Sequence, residues 1–411
     1  MQDTSSRQYD LVLFGATGFV GKLTAGYLAE HAPNGTRIAL AGRSKSKLEA
    51  VRASLPAAAS DWTLLEADSF DTESIKALAA DTRVVVTTVG PYAKYGLPLV
   101  EACADAGTHY ADLTGEVLFM RRAIDLADDR AKATGAKIVH TCGFDSIPSD
   151  IGVHTLAAYA KEIGAGDLED TKLVMSMGGG VSGGTIDSMR TQLAEVKADR
   201  SVIKTIASPY SLTPDRSAEP DLGRQRDVTG VSRNPDTGEW LAPFVMAACN
   251  TRVVRRSNAL SGYAYGRGFK YQEYMRGGSG PKGAITSGVV TGVLGGLFAG
   301  LAFGPTAKLL DRVLPKPGEG PSEASRDKGF FKADITAKTS GGKTIRCRVK
   351  ASGDPGYKAT AVMLGEAGLC LALDQAELPD VAGVLTPATA MGSLLKDRLV
   401  AAGQTYETST L

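Results

Sequence analysis

Residues Tyr9 to Gly21, YDLVLFGATGFVG, decide the fold of this chain. An apolar run typical of a buried strand leads directly into a GxxGxxG pattern and then into a helix-forming segment. In that context the first glycine allows a tight turn, the second lets the backbone approach a pyrophosphate, and the third lets the helix pack closely on the sheet. All seven residues of the pattern are predicted to bind dinucleotide phosphates: Gly15, Ala16, Thr17, Gly18, Phe19, Val20 and Gly21.

Short apolar strands alternate with amphipathic helices as far as residue 150, which is typical of βαβ units. Strands are predicted at residues 9–14, 37–41, 62–67, 83–89, 108–112 and 137–141. Beyond Ile151, alternating patches and glycine-rich turns indicate a mixed sheet. The predicted fold class is α/β, with a Rossmann doubly wound parallel sheet over residues 1–150. A second α/β domain with a mixed sheet, for substrate binding or dimerisation, is predicted over residues 151–384, with a flexible loop at residues 315–325.

The end of the second strand distinguishes NAD from NADP. NAD sites usually place an acidic residue there, which binds the ribose 2′-hydroxyl group. This chain has Gly42, Arg43 and Ser44 instead, and a guanidinium binds a 2′-phosphate by charge-assisted hydrogen bonds. The predicted cofactor is therefore NADP(H), with Arg43 and Ser44 at its 2′-phosphate.

Two further loops are predicted to contact the cofactor, because ligands of doubly wound sheets lie beyond the carboxyl ends of the strands. Asp68 follows the third strand and is expected either to meet the adenine edge or to cap the next helix. Gly90 and Pro91 follow the fourth strand, and this loop is expected beside the nicotinamide ribose.

The bulk composition excludes several classes of protein. Lys and Arg number 46 against 45 Asp and Glu, and no basic face with interleaved aromatic residues is apparent, so no nucleic-acid partner is expected. The five cysteines form no CxxC pair and the four histidines lack metal-ligand spacing, so free buried thiols and no metal site are predicted. A polar start without a signal peptide and unpaired cysteines together predict a cytoplasmic protein.

Five ordered motifs give the chain a specific resemblance: GATGFVG, VGPYAKYG, HYADLTGE, CGFDSIPSD and GVLTPATAMGSLLKDRL. Together they resemble the saccharopine dehydrogenase-like oxidoreductases, and within them the mycobacterial trans-acting enoyl reductases. The resemblance implies a helix near Thr386 to Ala402 that packs back on the first domain, in a C-terminal segment of residues 385–411. It also implies NADPH-dependent reduction of an enoyl double bond on a polyketide-derived lipid chain, held by a synthase that lacks its own enoyl reductase.

Enoyl reduction needs a hydride for the β-carbon, an electrophile that stabilises the enolate, and a proton for the α-carbon. Tyr92 and Asp145 are the predicted catalytic residues, and water is a further candidate for the proton source. Four other side chains come from the same motifs: Tyr95, Tyr110, Asp112 and Ser146. Asp112 and Asp145 have an alternative role in capping helices or tying loops together, and His109 and His140 are expected to be structural.

Two rival functions remain open. A saccharopine-type dehydrogenase acting on an imine of an amino acid would need several basic residues converging in its cleft. Arg252, Arg255 and Arg256 are the one tight cluster in the second domain, and they are expected on a solvated strand edge. The other rival is a non-catalytic NADP-binding protein at a lipid surface.

The segment Ala284 to Gly304, AITSGVVTGVLGGLFAGLAFG, has 21 residues and no charge. It is long enough to span a bilayer as a helix, and several of its glycines are four residues apart. Three interpretations are open: a buried helix pair or homodimer contact, a peripheral membrane or lipid-collecting element, and a full span. A span ranks last, because it would place the two halves of one catalytic domain on opposite sides of the bilayer.

Overall fold

The structure is a computed structural model that describes residues 6–179, 183–303, 305–306, 310 and 320–411. The first part of the chain forms six strands, which are β1 (Tyr9–Phe14), β2 (Ile38–Gly42), β3 (Thr63–Glu66), β4 (Thr82–Thr87), β5 (His109–Ala111) and β6 (Lys137–Val139). The α-helices of this part are α1 (Phe19–His31), α2 (Lys45–Ala53), α3 (Thr72–Ala80), α4 (Tyr92–Tyr95), α5 (Leu97–Ala106) and α6 (Val117–Thr134). The strands thus lie where the alternating pattern predicts them.

The second part contributes eight further strands, which are β7 (Leu168–Gly178), β8 (Ser232–Arg233), β9 (Trp240–Pro243), β10 (Lys270–Gly278), β11 (Phe330–Thr339), β12 (Thr344–Ser352), β13 (Gly383–Leu385) and β14 (Thr405–Thr410). Its α-helices are α7 (Ile147–Glu162), α8 (Gly183–Ala198), α9 (Ile203–Ala207), α10 (Ala247–Leu260), α11 (Gly280–Ala302), α12 (Glu323–Asp327), α13 (Lys358–Leu373), α14 (Pro387–Ala390) and α15 (Gly392–Ala401). The predicted loop at 315–325 lies partly outside the described residues, and its last three residues begin α12.

Two seven-stranded sheets organise these elements. The first has the order β13-β6-β5-β4-β1-β2-β3, and its recorded strand pairs are all parallel. The second has the order β14-β12-β11-β7-β10-β9-β8 and is mixed, because β7 and β10 pair in parallel while its other pairs are antiparallel. The predicted fold class, a doubly wound parallel sheet beside a mixed sheet, is confirmed.

The C-terminal part of the chain contributes to both sheets. Helix α13 packs against α1, β1 and β4, and β13 extends the first sheet beside β6. The last strand, β14, pairs with β12 in the second sheet. The domain limits at residues 150 and 384 stay a prediction, and the two sheets are joined by chain segments that pass between them more than once.

The interior of the first sheet is apolar on both faces, as expected for parallel strands covered by helices. All six residues of β1 are buried, and so are Val84, Val85 and Val86 of β4. The five cysteines are all free and buried, as predicted.

One local prediction is wrong: Arg252, Arg255 and Arg256 do not lie on a strand edge in solvent. They belong to helix α10 and all three are buried. The terminal nitrogens of each guanidinium have partners within the chain, because Arg252 binds Asp227 at 2.6 Å, Arg255 donates to the Tyr271 carbonyl at 2.8 Å, and Arg256 donates to the Leu212 and Val384 carbonyls. The Nε atom of each arginine has no hydrogen-bond partner among the described residues. Buried polar groups need such partners, so tertiary contacts favour the helix over the strand propensity of Val253 and Val254.

The uncharged segment forms most of helix α11, and Gly304 lies outside the described residues. Its most apolar 18-residue window has a mean hydropathy of 1.7, and only 11% of that window is buried; by length and composition it is one helix that could cross a membrane. Only Gly283, Ser287 and Leu301 of α11 are buried. The interpretation as a helix pair buried within this chain is therefore not supported in the described residues.

Candidate active site

The glycine-rich turn between β1 and α1 has the geometry that phosphate binding requires. Gly15 adopts φ +90°, a backbone conformation that favours glycine. A Cβ atom on Gly21 would fall 2.2 Å from the Gly15 carbonyl oxygen, so only glycine permits this approach of the helix to the turn. Gly18 is the N-cap of α1 and has no side chain to bind the first-turn amides. Those amides are thus available to the phosphates of a dinucleotide.

The end of β2 supplies the positive charge next to this turn. Arg43 is exposed and lines the cavity described below, and its guanidinium has no ion-pair or hydrogen-bond partner within the described part of the chain. Ser44 is the N-cap of α2, and its hydroxyl accepts a hydrogen bond from the Lys47 amide at 3.5 Å. An exposed guanidinium without an internal partner fits a 2′-phosphate.

Asp68 does not cap the next helix, which was one of its two expected roles. Its carboxylate accepts a hydrogen bond from the Phe70 amide at 3.1 Å, while Asp71 is the residue that caps α3. The side chain is not among those lining the cavity. Contact between Asp68 and adenine therefore stays a prediction.

The loop after β4 is held in place partly through the hydroxyl group of Tyr92. The Tyr92 hydroxyl donates to the Thr87 carbonyl and accepts from the Leu113 amide, both at 3.1 Å. Burial raises the pKa of Tyr92 well above its ordinary value. The hydroxyl proton is thus committed to a backbone carbonyl, so the geometry favours a positioning role for Tyr92 over proton donation.

Glu116, the last residue of the motif HYADLTGE and one for which the sequence indicated no role, connects this loop to the second part of the chain. Its carboxylate accepts from the Tyr92 amide at 3.0 Å and the Ala93 amide at 2.8 Å. It also accepts from the Ser188 hydroxyl on α8 at 2.7 Å. Burial raises the pKa of Glu116, since the surroundings disfavour its charge. The sequence places Glu116 directly before α6, where an acid is favoured by the helix N-terminus, and nothing in the sequence indicates its contact with Ser188 on α8.

Asp145 lies in the loop between β6 and α7. Burial is the main cause that raises the pKa of its carboxyl to about 7, and the nearby Asp112 is a smaller cause. The carboxyl lines the cavity and forms no hydrogen bond with another described side chain. Ser146 rather than Asp145 occupies the N-cap of α7, so the alternative capping role of Asp145 is not observed. A carboxyl with this pKa can hold and release a proton near neutral pH.

Asp112 instead ties loops together, as its alternative interpretation states. It is fully buried and accepts from the Tyr110 hydroxyl at 2.9 Å, from the Thr114 amide at 3.0 Å and from the Thr141 amide at 3.1 Å, with His140 Nδ1 at 2.7 Å. His109 accepts from the Lys137 amide at 3.1 Å, and burial lowers its pKa to about 3. Both histidines therefore have structural contacts, as expected.

One cavity of about 670 Å³ joins these features. It brings together most of the predicted site, namely Gly18, Phe19, Val20, Gly21, Arg43, Gly90, Pro91, Tyr92 and Asp145. Gly15, Ala16, Thr17, Ser44 and Asp68 are not on its wall. Away from the glycine-rich turn the wall is mainly apolar, with Leu193, Val196, Ile206, Val245, Met246 and Phe298. None of these side chains was predicted to line the site, because they come from α8, α9, the residues just before α10, and α11, and no shared sequence motif connects these segments.

Fold and site together define the class as an NADP-dependent oxidoreductase, and comparisons with known proteins agree. Residues 11–139 match the family model of the saccharopine dehydrogenase NADP binding domain, which confirms the predicted cofactor. The yeast saccharopine dehydrogenase structure (Saccharomyces cerevisiae, L-Glu forming) has a TM-score of 0.55 at 11% identity, covering 98% of this chain and 99% of that one. Homospermidine synthase of Legionella pneumophila gives 0.54 at 10% identity, with 98% and 92% covered. These two likenesses show the fold alone.

Relatives found by sequence share a much higher identity with this chain than these two structures do. A Mycobacterium tuberculosis (strain H37Rv) protein, named as a trans-acting enoyl reductase, is 51% identical over 414 residues, or 98% of each chain. The trans-acting enoyl reductase of Mycobacterium ulcerans is 46% identical over 409 residues, or 97% of each chain. The chain belongs to the trans-acting enoyl reductase family of saccharopine dehydrogenase-like oxidoreductases, and the resemblance stated from its motifs is confirmed.

Proposed function

We propose that this enzyme uses NADPH to reduce the α,β-double bond of a polyketide-derived acyl chain, which a separate synthase presents to it. The observation that carries this proposal is one cavity whose wall combines Gly18, Gly21 and Arg43 with many apolar side chains. An enoyl acyl chain has little polar surface, and such a wall binds it by removing apolar area from water.

In the reduction, NADPH supplies a hydride to the β-carbon of the substrate and is itself oxidised to NADP⁺. The first-turn amides of α1 would hold the pyrophosphate, and Arg43 would hold the 2′-phosphate. The loop Gly90–Tyr92, which Glu116 fixes and which lines the cavity, would hold the nicotinamide ribose. These contacts hold the two reactants in one geometry, which lowers the entropic part of the barrier.

Asp145 is the proposed proton donor for the α-carbon. It lies on the cavity wall, it lacks a competing hydrogen bond to another described side chain, and its pKa of about 7 keeps much of it protonated near neutral pH. Proton transfer from Asp145 quenches the enolate that hydride addition creates, so one carbon–carbon π bond is lost and two C–H bonds form.

The rival saccharopine-type reaction is less compatible with the cavity. Among the described residues of the wall, Arg43 is the one basic side chain, and it lies at the cofactor end. The arginines of α10, which could have bound a diacid, are buried and paired elsewhere. Apart from Arg43, an amino-diacid would thus find no cation on the described part of this wall to bind its carboxylates.

Oxidation of NADPH by the purified chain tests the proposal. A short, water-soluble enoyl thioester should support turnover, whereas a 2-oxo acid with an amine should not. The reverse preference would establish the saccharopine-type reaction. Tight NADPH binding without turnover on any acyl thioester would establish the non-catalytic alternative.

A further inference from the structure

Helix α11 is the most apolar exposed surface in the described residues. Ile285 is 67% exposed, Val289 58% and Val293 64%. At about 3.6 residues per turn these three side chains lie on one side of the helix. Together with Phe303, which is 62% exposed, they form what we call the apolar strip. A continuous surface of this kind marks a contact with another phase or molecule.

Both ends of α11 are attached to the enzyme. At its start, Gly283 approaches the Gly278 carbonyl so closely that a Cβ atom would lie 2.2 Å from the oxygen. Near its end, Leu301 is buried and Phe298 lines the active-site cavity. The helix therefore lies along the surface of the protein, so contact with a bilayer would be in the plane of one leaflet and not across it.

The polar groups of α11 distinguish a lipid phase from a protein partner. From Ala284 to Phe303 the polar side chains are Thr286, Ser287 and Thr291. Thr286 donates to the Lys282 carbonyl at 3.0 Å and Thr291 to the Ser287 carbonyl at 2.7 Å, while Ser287 is buried. Protein interfaces have a polar rim and intermolecular hydrogen bonds. This surface offers no such groups, because its two threonine hydroxyls are satisfied within the helix, as hydrocarbon requires. The Ser287 hydroxyl, which has no hydrogen-bond partner among the described residues, is buried beside Gly277 of β10 and is not part of the exposed surface.

Phe298 links the strip to the site. Phe298 lies five positions after Val293, which places it on the other side of the helix, where it lines the cavity. One element thus has lipid-compatible residues on its outer side and forms part of the cavity wall on its inner side. We propose that α11 docks on a membrane leaflet and that the acyl chain enters the cavity from the lipid, past Phe298. The entry route rests on the proposed function, while the docking does not.

Flotation of the full-length protein with phosphatidylcholine vesicles tests the docking. The wild type should float with the vesicles, and Val289→Asp/Val293→Asp should remain with unbound protein. A matched control, Leu126→Asp/Val400→Asp, also places two charges at exposed apolar positions and should float like the wild type. The milder Val289→Ser/Val293→Ser pair, expected to float partially, covers the case in which the aspartates prevent folding.

Activity separates the two proposals. A short soluble enoyl thioester should be reduced at equal rates by the wild type and Val289→Asp/Val293→Asp. A long-chain enoyl thioester embedded in vesicles should be reduced at least about tenfold more slowly by the variant. A wild type that does not float, or a homodimer that the aspartates dissociate, would overturn the docking. If no enoyl thioester is reduced, the proposed function fails while flotation still reports on the docking.

Discussion

At the scale of single residues, the proposed role of Arg43 is to select NADPH over NADH. Its exposed guanidinium lines the cavity and has no ionic partner among the described residues. Arg43→Ala should weaken NADPH about 10- to 100-fold, the equivalent of about 1.5–3 kcal/mol for a charged hydrogen bond, and should barely change NADH. Isothermal titration calorimetry of both cofactors measures this. Lys47→Ala, which removes an exposed charge nearby, is the control. Equal losses of NADPH and NADH affinity in Arg43→Ala would show that Arg43 does not bind the 2′-phosphate.

Asp145 should control the pH dependence of turnover. A general acid must be protonated, so kcat with a soluble enoyl thioester should fall as the pH rises through the pKa of about 7. Asp145→Asn should reduce kcat about 100-fold or more and abolish this decline, with NADPH affinity unchanged. A pH–rate profile of both proteins is the measurement. A variant that keeps the wild-type rate and profile would assign the proton to water.

At the scale of secondary-structure elements, the contact between α1 and the glycine-rich turn can be tested with two alanines in one helix. Gly21→Ala places a Cβ atom 2.2 Å from the Gly15 carbonyl oxygen, so it should destabilise the fold by about 1–3 kcal/mol and impair NADPH binding. Gly26→Ala meets no atom within 4 Å and should stabilise the helix by about 0.5–1 kcal/mol. Thermal unfolding, measured with and without NADPH, compares the two variants. Similar melting temperatures of the two variants would contradict the close contact between Gly21 and the Gly15 carbonyl.

A second prediction at this scale concerns the connection between the loop after β4 and α8. Glu116→Gln keeps the shape but directs an N–H group at one of its three donors, which are the Tyr92 and Ala93 amides and the Ser188 hydroxyl. We expect KM for NADPH to rise about 3- to 10-fold and kcat to fall, because a repelled donor displaces the loop. Ser188→Ala removes one donor alone and should have a smaller effect. Steady-state kinetics of both variants measure these effects. A larger effect of Ser188→Ala than of Glu116→Gln would show that Glu116 does not hold this loop in place.

Sequence reasoning succeeded where local pattern and tertiary structure agree. The glycine pattern after β1 and the β-branched run of β4 predict both the first sheet and the cofactor loops, because both are buried between helices. It failed for Arg252, Arg255 and Arg256, whose helix is stabilised by carbonyl acceptors far away in sequence. The apolar wall was invisible for the same reason, since it is assembled from helices with no shared motif.

At the scale of the whole molecule, the two sheets have separate tasks that meet at one cavity. The parallel sheet presents the glycine-rich turn, Arg43 and the loop after β4, and helices of the second part supply the apolar wall. Since the chain returns to the first sheet through α13 and β13, the two parts are fastened to each other. In the proposed function, this arrangement lets the cofactor and an acyl chain share one cavity.

The central claim is that this cavity delivers hydride to one carbon of an enoyl group and a solvent-derived proton to the next. Reduction of a soluble enoyl thioester with NADPH deuterated at the transferred position of nicotinamide C4, followed by NMR of the product, tests it most directly. The account predicts a saturated thioester with deuterium at the β-carbon and none at the α-carbon. Product without deuterium at the β-carbon, or NADPH oxidation that leaves the double bond intact, would contradict it.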